Sequence, residues 1–238
     1  MARLEPGETV LVNGATGFSG RLAIQIAKLL GAGRIVGSGR HTASLRALRD
    51  LGADAVVDLT RCDDEVVGAF RREAGDSGYG VILDSVWGHP TGLLLQALVP
   101  DQLSFAQHGT RLVQIGVSAG PTITLAAEAQ RTSGLRIMGA GDAVTPEVVG
   151  EATRQVWKWI AAEKLEAAIE PVALHEIERA WLTSSVRGTR NRRARPAQTP
   201  RTAKRRAINR APVMAATAQQ HSGRRRCYPS EISRNGGV

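Results

Sequence analysis

Thr9-Val10-Leu11-Val12-Asn13-Gly14-Ala15-Thr16-Gly17-Phe18-Ser19-Gly20 is the stretch that decides the fold of this 238-residue chain. It opens with a short apolar, β-branched run at residues 9–12, which is typical of a buried strand. Three glycines spaced Gly-x-x-Gly-x-x-Gly follow, and a helical pattern then continues to Gly31. A strand that enters a helix through a glycine-rich turn is the first half of a βαβ unit.

The glycine spacing is a variant of the dinucleotide fingerprint. Gly14 permits a tight turn out of the strand, Gly17 leaves room for a pyrophosphate, and Gly20 lets the helix pack close to the strand. The free amides at the start of the helix, together with its dipole, would then face the phosphates. The same glycines also suit a plain strand–helix turn, so the surrounding βαβ pattern is what favours nucleotide binding.

The rest of the first 186 residues repeats this alternation. Further short apolar strands are predicted at residues 34–37, 55–58, 81–83 and 111–115, with helices between them. Short strands that alternate with helices predict a parallel sheet, so the fold class is α/β, a Rossmann-like doubly wound sheet. Ligands of such folds bind at the carboxyl ends of the strands, where the strand order reverses.

Two helix starts can be placed from their capping residues. Thr42 is expected to cap the helix that ends before Gly52. Thr145-Pro146-Glu147 predicts a later helix to about Lys164, because a capping hydroxyl, a first-turn proline and an acid follow one another. The apolar residues of that helix are expected to face the core; they are Val149, Val156, Trp157 and Ile160.

Charge divides the chain into two parts. Residues 1–186 carry a net charge of −4 and residues 187–238 a net charge of +13. The basic part has few large apolar residues and four prolines, so we expect a disordered Arg-rich tail after a single domain at residues 1–186. A non-enzymatic dinucleotide- or nucleic-acid-binding protein that uses this tail is the alternative function. The one aromatic residue of the tail, Tyr228, gives no stacking platform, so no specific nucleic acid is expected.

Several classes are excluded by composition. No apolar run is long enough to span a membrane, and the N-terminus lacks the apolar core of a signal peptide. The two cysteines, Cys62 and Cys227, are too few for a disulfide framework or a multi-cysteine zinc site. We therefore expect a cytoplasmic protein with neither membrane partner nor zinc.

The residues after the second and fifth strands bear on cofactor choice. No Asp or Glu follows the second strand, where an NAD enzyme usually holds the ribose hydroxyls. Ser38, Arg40 and His41 instead offer a hydroxyl, a cation and an imidazole, and a guanidinium suits a 2′-phosphate. The sequence therefore favours NADP(H) over NAD. The carboxyl ends of the strands, where ligands bind, are called here the ligand edge. We expect residues 84–88, after the fourth strand, and Gly116, after the fifth, to lie there.

Six segments together resemble one family in order and in spacing: residues 6–12, 14–20, 23–28, 51–54, 112–116 and 177–181. The family is the medium-chain dehydrogenases and reductases, in the quinone oxidoreductase and zinc-type alcohol dehydrogenase-like branch. The resemblance covers about residues 1–186. It implies reversible hydride transfer between NAD(P)H and a carbonyl, alkene or quinone of a small-molecule substrate. It also implies cofactor contacts at Gly14, Ala15, Thr16, Gly17, Phe18, Ser19, Gly20, Ser38, Arg40, His41 and Gly116.

The resemblance carries two further expectations. Family members commonly form homodimers through an edge strand of this domain, for which Leu135–Met138 is the candidate. They also carry an N-terminal domain before the segment matching residues 6–12, and they end with an apolar strand where this chain turns basic. We therefore expect a truncated form with impaired activity, and no catalytic residue is assigned.

A short-chain dehydrogenase is the main rival enzyme, because its fingerprint resembles residues 14–18. Such enzymes need a Tyr and a Lys four residues apart. Tyr79 and Tyr228 are followed four residues later by Leu83 and Ile232. The rival lacks its catalytic pair.

Overall fold

A computed structural model describes residues 2–99, 109–141, 144–167, 169–184 and 191–195. Six parallel strands form one sheet in the order β3-β2-β1-β4-β5-β6. This is the strand order of the doubly wound dinucleotide-binding fold and confirms the predicted fold class. The strands are β1 (Thr9–Asn13), β2 (Arg34–Gly39), β3 (Ala55–Asp58), β4 (Val81–Asp84), β5 (Arg111–Gln114) and β6 (Arg136–Gly139).

Helices lie between these strands in the chain, and further helices follow β6. They are α1 (Phe18–Leu29), α2 (Thr42–Asp50), α3 (Asp63–Ala74), α4 (Gly88–Ala97), α5 (Ala127–Ser133), α6 (Pro146–Ala161) and α7 (Ile177–Ser184). A second, two-stranded sheet pairs β7 (Ile169–Ala173) with β8 (Asn191–Arg195) in parallel. A 3-10 turn at Leu174–Glu176 separates β7 from α7.

The central strand β1 is buried on both faces, because successive side chains of a strand point to opposite sides. Val10 and Val12 pack in one cluster with residues of α1 and α2, such as Ile24 and Leu48. Leu11 packs in the other cluster, which includes Phe70 of α3 and Leu94 of α4. The helices therefore cover the two faces of the sheet in pairs and leave the strand ends to form the site.

The predicted start of α2 is wrong by one residue. His41, rather than Thr42, is the capping residue, and its side chain accepts the backbone N–H of Ser44. An imidazole nitrogen can fill the acceptor role that the sequence pattern assigned to the threonine hydroxyl. The predicted start of α6 is confirmed, since Thr145 accepts the N–H of Val148 and Pro146 is the first helical residue.

The predicted inward face of α6 is wrong. None of its residues is buried among the described part of the chain, and Trp157 is 62% exposed. Val149 and Ile160 are also exposed. The sequence pattern identifies an amphipathic helix, but it does not identify the surface that covers its apolar side.

Most of the predicted disordered tail lies outside the described residues. The exception is β8, whose five residues form a strand where the sequence predicted disorder. Strand pairing uses backbone N–H and C=O groups, so β7 can align a segment that has little apolar surface of its own. Among the described residues, no helix combines the length and the apolar character needed to cross a membrane.

Candidate functional site

The three glycines of the loop after β1 have different surroundings. Gly14 has φ +90, and a Cβ there would lie 2.7 Å from Cγ2 of Val86. A Cβ on Gly20 would lie 2.6 Å from Cα of Ala15. Gly17, by contrast, has only the Gly14 carbonyl oxygen of the described residues within 4 Å of its added Cβ, at 3.9 Å. The fold therefore requires the outer two glycines, whereas the space beside Gly17 is open.

The helix that follows this loop begins without a side-chain cap. Gly17 is the N-cap residue, and its carbonyl accepts the N–H of Arg21 at 3.0 Å. The first turn contains no acidic residue. The N-terminus of α1 therefore keeps its partial positive charge and its free amides, which is the arrangement that binds phosphates at helix starts.

Four buried polar side chains lie behind the loop and are called here the polar network: Asn13, Ser38, Asp84 and Thr91. The Ser38 hydroxyl donates to Oδ1 of Asn13 at 2.5 Å and accepts the N–H of Gly14 at 3.2 Å. Nδ2 of Asn13 donates to Oδ1 of Asp84 at 3.1 Å. The hydroxyl of Thr91 donates to Oδ2 of Asp84 at 2.7 Å. The network thereby ties the ends of β1, β2 and β4 to α4.

Ser38 differs from its predicted role. The sequence suggested a hydroxyl offered to a cofactor, but the side chain is fully buried and its Oγ is engaged within the polar network. Ser38 supports the backbone of Gly14 from behind. Sequence reasoning assigned no role to Asn13 or Thr91. A polar residue at the end of an apolar strand is the signal that could have identified Asn13.

The end of β2 presents Arg40 to solvent. Its guanidinium makes no hydrogen bond or ion pair within the part of the chain that the structure describes. The preceding Gly39 lies against Thr16 of the loop, so a side chain at that position would collide with it. His41 caps α2 through Nδ1, which accepts the Ser44 N–H at 3.2 Å, and the proton of the neutral ring therefore lies on Nε2.

The loops after β4 and β5 pack backbone to backbone. They are called here the β4 loop (residues 85–88) and the β5 loop (residues 115–119). A Cβ on Gly116 would lie 2.7 Å from the Ser85 carbonyl oxygen, and one on Gly88 would lie 2.6 Å from the Ala119 carbonyl oxygen. The N–H of Ala119 donates to the carbonyl of Val86 at 2.8 Å. Gly116 therefore lies just after the carboxyl end of β5, and its close contact with the β4 loop requires it to be glycine.

The β5 loop also carries apolar side chains. Ile115 is 49% exposed and Val117 is 57% exposed. They adjoin the carboxyl end of β5, on the side of the sheet away from Arg40. Exposed apolar groups at this edge can exclude water from a bound ring.

A cleft of about 320 Å³ lies along α1. Phe18, Arg21 and Gln25 line one side, and Glu166 lies opposite. The Gln25 side chain donates to the Glu166 carbonyl at 3.0 Å and accepts the Glu166 N–H at 2.8 Å. This amide pairing holds the segment after α6 beside the middle of α1.

Within the described residues, neither Tyr79 nor a group of metal-ligating side chains forms a second candidate site. The Tyr79 hydroxyl donates to the Phe70 carbonyl at 2.7 Å, and burial, with the nearby Glu73 carboxylate, raises the pKa of this phenol. Tyr79 therefore has a structural role in the core. Within the described ranges, no three or more His, Cys, Asp or Glu side chains are grouped to hold a metal ion.

The chain is similar in sequence to known proteins. A family model described as zinc-binding dehydrogenase matches residues 20–162, more than half of the chain. A component of the phenolphthiocerol/phthiocerol polyketide synthase of Mycobacterium tuberculosis is 36% identical over 140 residues, covering 56% of this chain and 6% of that protein. L-threonine 3-dehydrogenase of Francisella tularensis is 32% identical over 119 residues, covering 48% of this chain and 32% of that enzyme.

The fold is also shared with solved structures. Escherichia coli quinone oxidoreductase, crystallised in complex with NADPH, aligns with a TM-score of 0.64 at 22% identity, over 79% of this chain and 56% of that one. The chain thus spans only a part of the length of these three proteins. Because the family model covers most of the doubly wound sheet, the chain belongs to the zinc-binding dehydrogenases of the medium-chain dehydrogenase and reductase family, whose members bind nicotinamide dinucleotides.

Proposed function

We propose that this chain is an NADP(H)-dependent oxidoreductase of the quinone oxidoreductase and alcohol dehydrogenase-like type. It would transfer hydride to or from a carbonyl, alkene or quinone of a small-molecule substrate. One observation carries the proposal: packing requires Gly14 and Gly20, whereas Gly17 faces open space beside an uncapped helix start. A glycine that the fold does not need, placed where the strand order reverses, is best explained by a ligand that passes close to the backbone.

The roles of the residues follow from their places. The amides at the start of α1 hold the pyrophosphate, and the Gly17 position leaves it room. Arg40 pairs with the 2′-phosphate, and the Nε2–H of His41 is a second donor at the same strand end. The β4 and β5 loops border the nicotinamide half, where Ile115 and Val117 exclude water. When bound, NADPH supplies the hydride that the reaction transfers.

Zinc has no part in this proposal. The family's description names zinc, but the described residues of this chain do not form a group of ligands for it. No step is therefore assigned to a metal. The residues given a role act by binding and orienting the cofactor and by excluding water.

The deciding experiment is a fluorescence titration of the full chain with NADPH, repeated on the Gly17→Val variant. The branched side chain would occupy the open space beside the loop, so NADPH affinity is expected to fall at least about tenfold, or ~1.4 kcal/mol. The melting temperature should change little, because Gly17 has extended backbone angles that valine can adopt (φ −76, ψ 171).

Gly68→Val is the matched control. Gly68 lies in α3, and a Cβ there meets nothing within 4 Å, so valine is accommodated there at least as easily as at position 17. This variant should bind NADPH as the unmodified chain does. If Gly17→Val binds NADPH with unchanged affinity, the phosphates bind elsewhere and the proposal loses its main support.

A further inference from the structure

The carboxyl group of Asp84 is the centre of the polar network. It is fully buried at the carboxyl end of β4. Its Oδ1 accepts hydrogen bonds from Nδ2 of Asn13 at 3.1 Å, from Val86 N–H at 2.9 Å and from Trp87 N–H at 3.1 Å. The Thr91 hydroxyl donates to Oδ2 at 2.7 Å. Within the described ranges, each polar contact of this side chain is therefore with a buried side chain or a backbone group.

Two of these bonds hold an unusual backbone. Trp87 has φ +54 with ψ −163, and Gly88 has φ +61, so two consecutive residues of the β4 loop have positive φ. A tryptophan rarely adopts this conformation unless its surroundings impose it. The carboxyl oxygen that receives the Val86 and Trp87 amides provides that support from inside the fold.

The β4 loop is also fixed from the side of β5. The backbone carbonyl of Asp84 accepts the N–H groups of Ile115 at 2.7 Å and Gly116 at 3.2 Å. Oγ of Ser118 donates to the Ser85 carbonyl at 3.1 Å. Asp84 thus joins the β4 loop and the β5 loop into one rim at the ligand edge.

A second branch of the network leads to the loop after β1 (residues 14–17), which is called here the phosphate loop. It passes from Asp84 through Asn13 to Ser38, whose hydroxyl accepts the N–H of Gly14. This branch ends on the β2 side of the sheet, next to Arg40. The two branches therefore end on opposite sides of the point where the strand order reverses, which is where ligands of this fold bind.

We propose that Asp84 is a positioning residue that holds the β4 loop against the nicotinamide half of the cofactor, while Ser38 holds the phosphate loop for the other half. This inference rests on the proposed function, because it assumes that NADPH binds across the ends of β1 and β4. Asp84 and Ser38 belong to the same network, but each supports the binding of a different half of the cofactor.

The test compares two ligands on the full chain by calorimetry: NADPH, and 2′-phospho-ADP-ribose, which lacks the nicotinamide ring. The measured quantity is the affinity for NADPH divided by the affinity for 2′-phospho-ADP-ribose. Asp84→Ala should lower this ratio about tenfold, the size expected when a buried acceptor is lost. Ser38→Ala should weaken both ligands and leave the ratio unchanged. Partial unfolding alone would lower the number of binding sites, or both affinities by the same factor, and would not move the ratio.

Asp84→Asn is the conservative variant, because its Oδ1 can still accept the Val86 and Trp87 amides, and it should restore the ratio. If Asp84→Ala does not fold, Thr91→Val takes its place. It removes the hydroxyl that donates to Oδ2 of Asp84 and accepts from Nδ2 of Asn13, and it should lower the ratio in the same direction. An unchanged ratio in the folded variant overturns the inference and leaves the proposed function standing. Equal affinities for the two ligands in the unmodified chain overturn it as well. Failure of the unmodified chain to bind either ligand removes the proposed function and this inference together.

Discussion

At the scale of single residues, Arg40 is the side chain that should set cofactor choice. Its guanidinium is exposed and unpaired within the described structure, at the strand end where an acid would favour NAD. Arg40→Ala should weaken NADPH binding about tenfold, or ~1.4 kcal/mol, and leave NADH binding nearly unchanged. Titration of both nucleotides against the variant and the unmodified chain measures the difference.

Arg40→Lys refines this comparison. Lysine keeps the positive charge but lacks the planar fork that binds two phosphate oxygens, so an intermediate preference is expected. Equal affinities of the unmodified chain for NADPH and NADH would contradict the role of Arg40.

The sequence indicated the glycines of the loop after β1, but it did not indicate the buried hydrogen bonds behind that loop. The spacing of Gly14, Gly17 and Gly20 is local, so it can be recognised in twelve residues of sequence. Asn13 and Asp84 are 71 positions apart and meet only because β1 and β4 are neighbours in the sheet. Ser38 was recognised as polar and close to the site, but its burial depends on which side of the strand end it occupies.

At the scale of elements, the cap of α2 links helix stability to the site. Removing the acceptor in His41→Ala should lower the free energy of unfolding by about 0.5–1 kcal/mol, because the Ser44 N–H loses its partner. Chemical denaturation followed by circular dichroism measures this change.

His41→Asp separates the two roles of this residue. Aspartate is a good N-cap, so stability should return, but its charge would repel a 2′-phosphate and NADPH affinity should fall. NADPH binding as tight as that of the unmodified chain would show that residue 41 does not face the phosphate.

Elements with strong local signals were predicted, and those that depend on packing were not. Strands β1 to β5 are apolar runs bounded by turn residues, and α6 begins at a strong cap. Helix α5 has seven residues, too few to show a clear helical period, and the sequence did not indicate it. The apolar side of α6 is exposed, which shows a second limit of the sequence pattern. The spacing of apolar residues identifies which side of a helix is apolar, but it does not identify the surface that covers that side.

At the scale of the whole molecule, β6 is the expected site of self-association. It is the last strand at one side of the six-stranded sheet, and it lies at Arg136–Gly139 rather than at the predicted Leu135–Met138. Leu135 instead packs in the core. The N–H groups of Arg136 and Ala140 donate to β5 and the residue before it, so the alternate N–H of Ile137 points away from the sheet.

Ile137→Pro should therefore prevent strand pairing between two copies without breaking the bonds to β5. Light scattering over a range of concentrations should show a dimer for the unmodified chain and for Ile137→Val, and a monomer for Ile137→Pro. A monomer at every concentration for the unmodified chain would contradict dimerisation through this edge.

The unequal surroundings of the three loop glycines have an evolutionary consequence. Substitutions at Gly14 or Gly20 strain or crowd the packing and would be removed by selection for a folded protein, whatever the protein does. Substitutions at Gly17 escape that selection and are opposed only while the ligand matters. A lineage that stopped using the nucleotide would therefore be expected to lose Gly17 first, and a glycine retained there is a record of continued use.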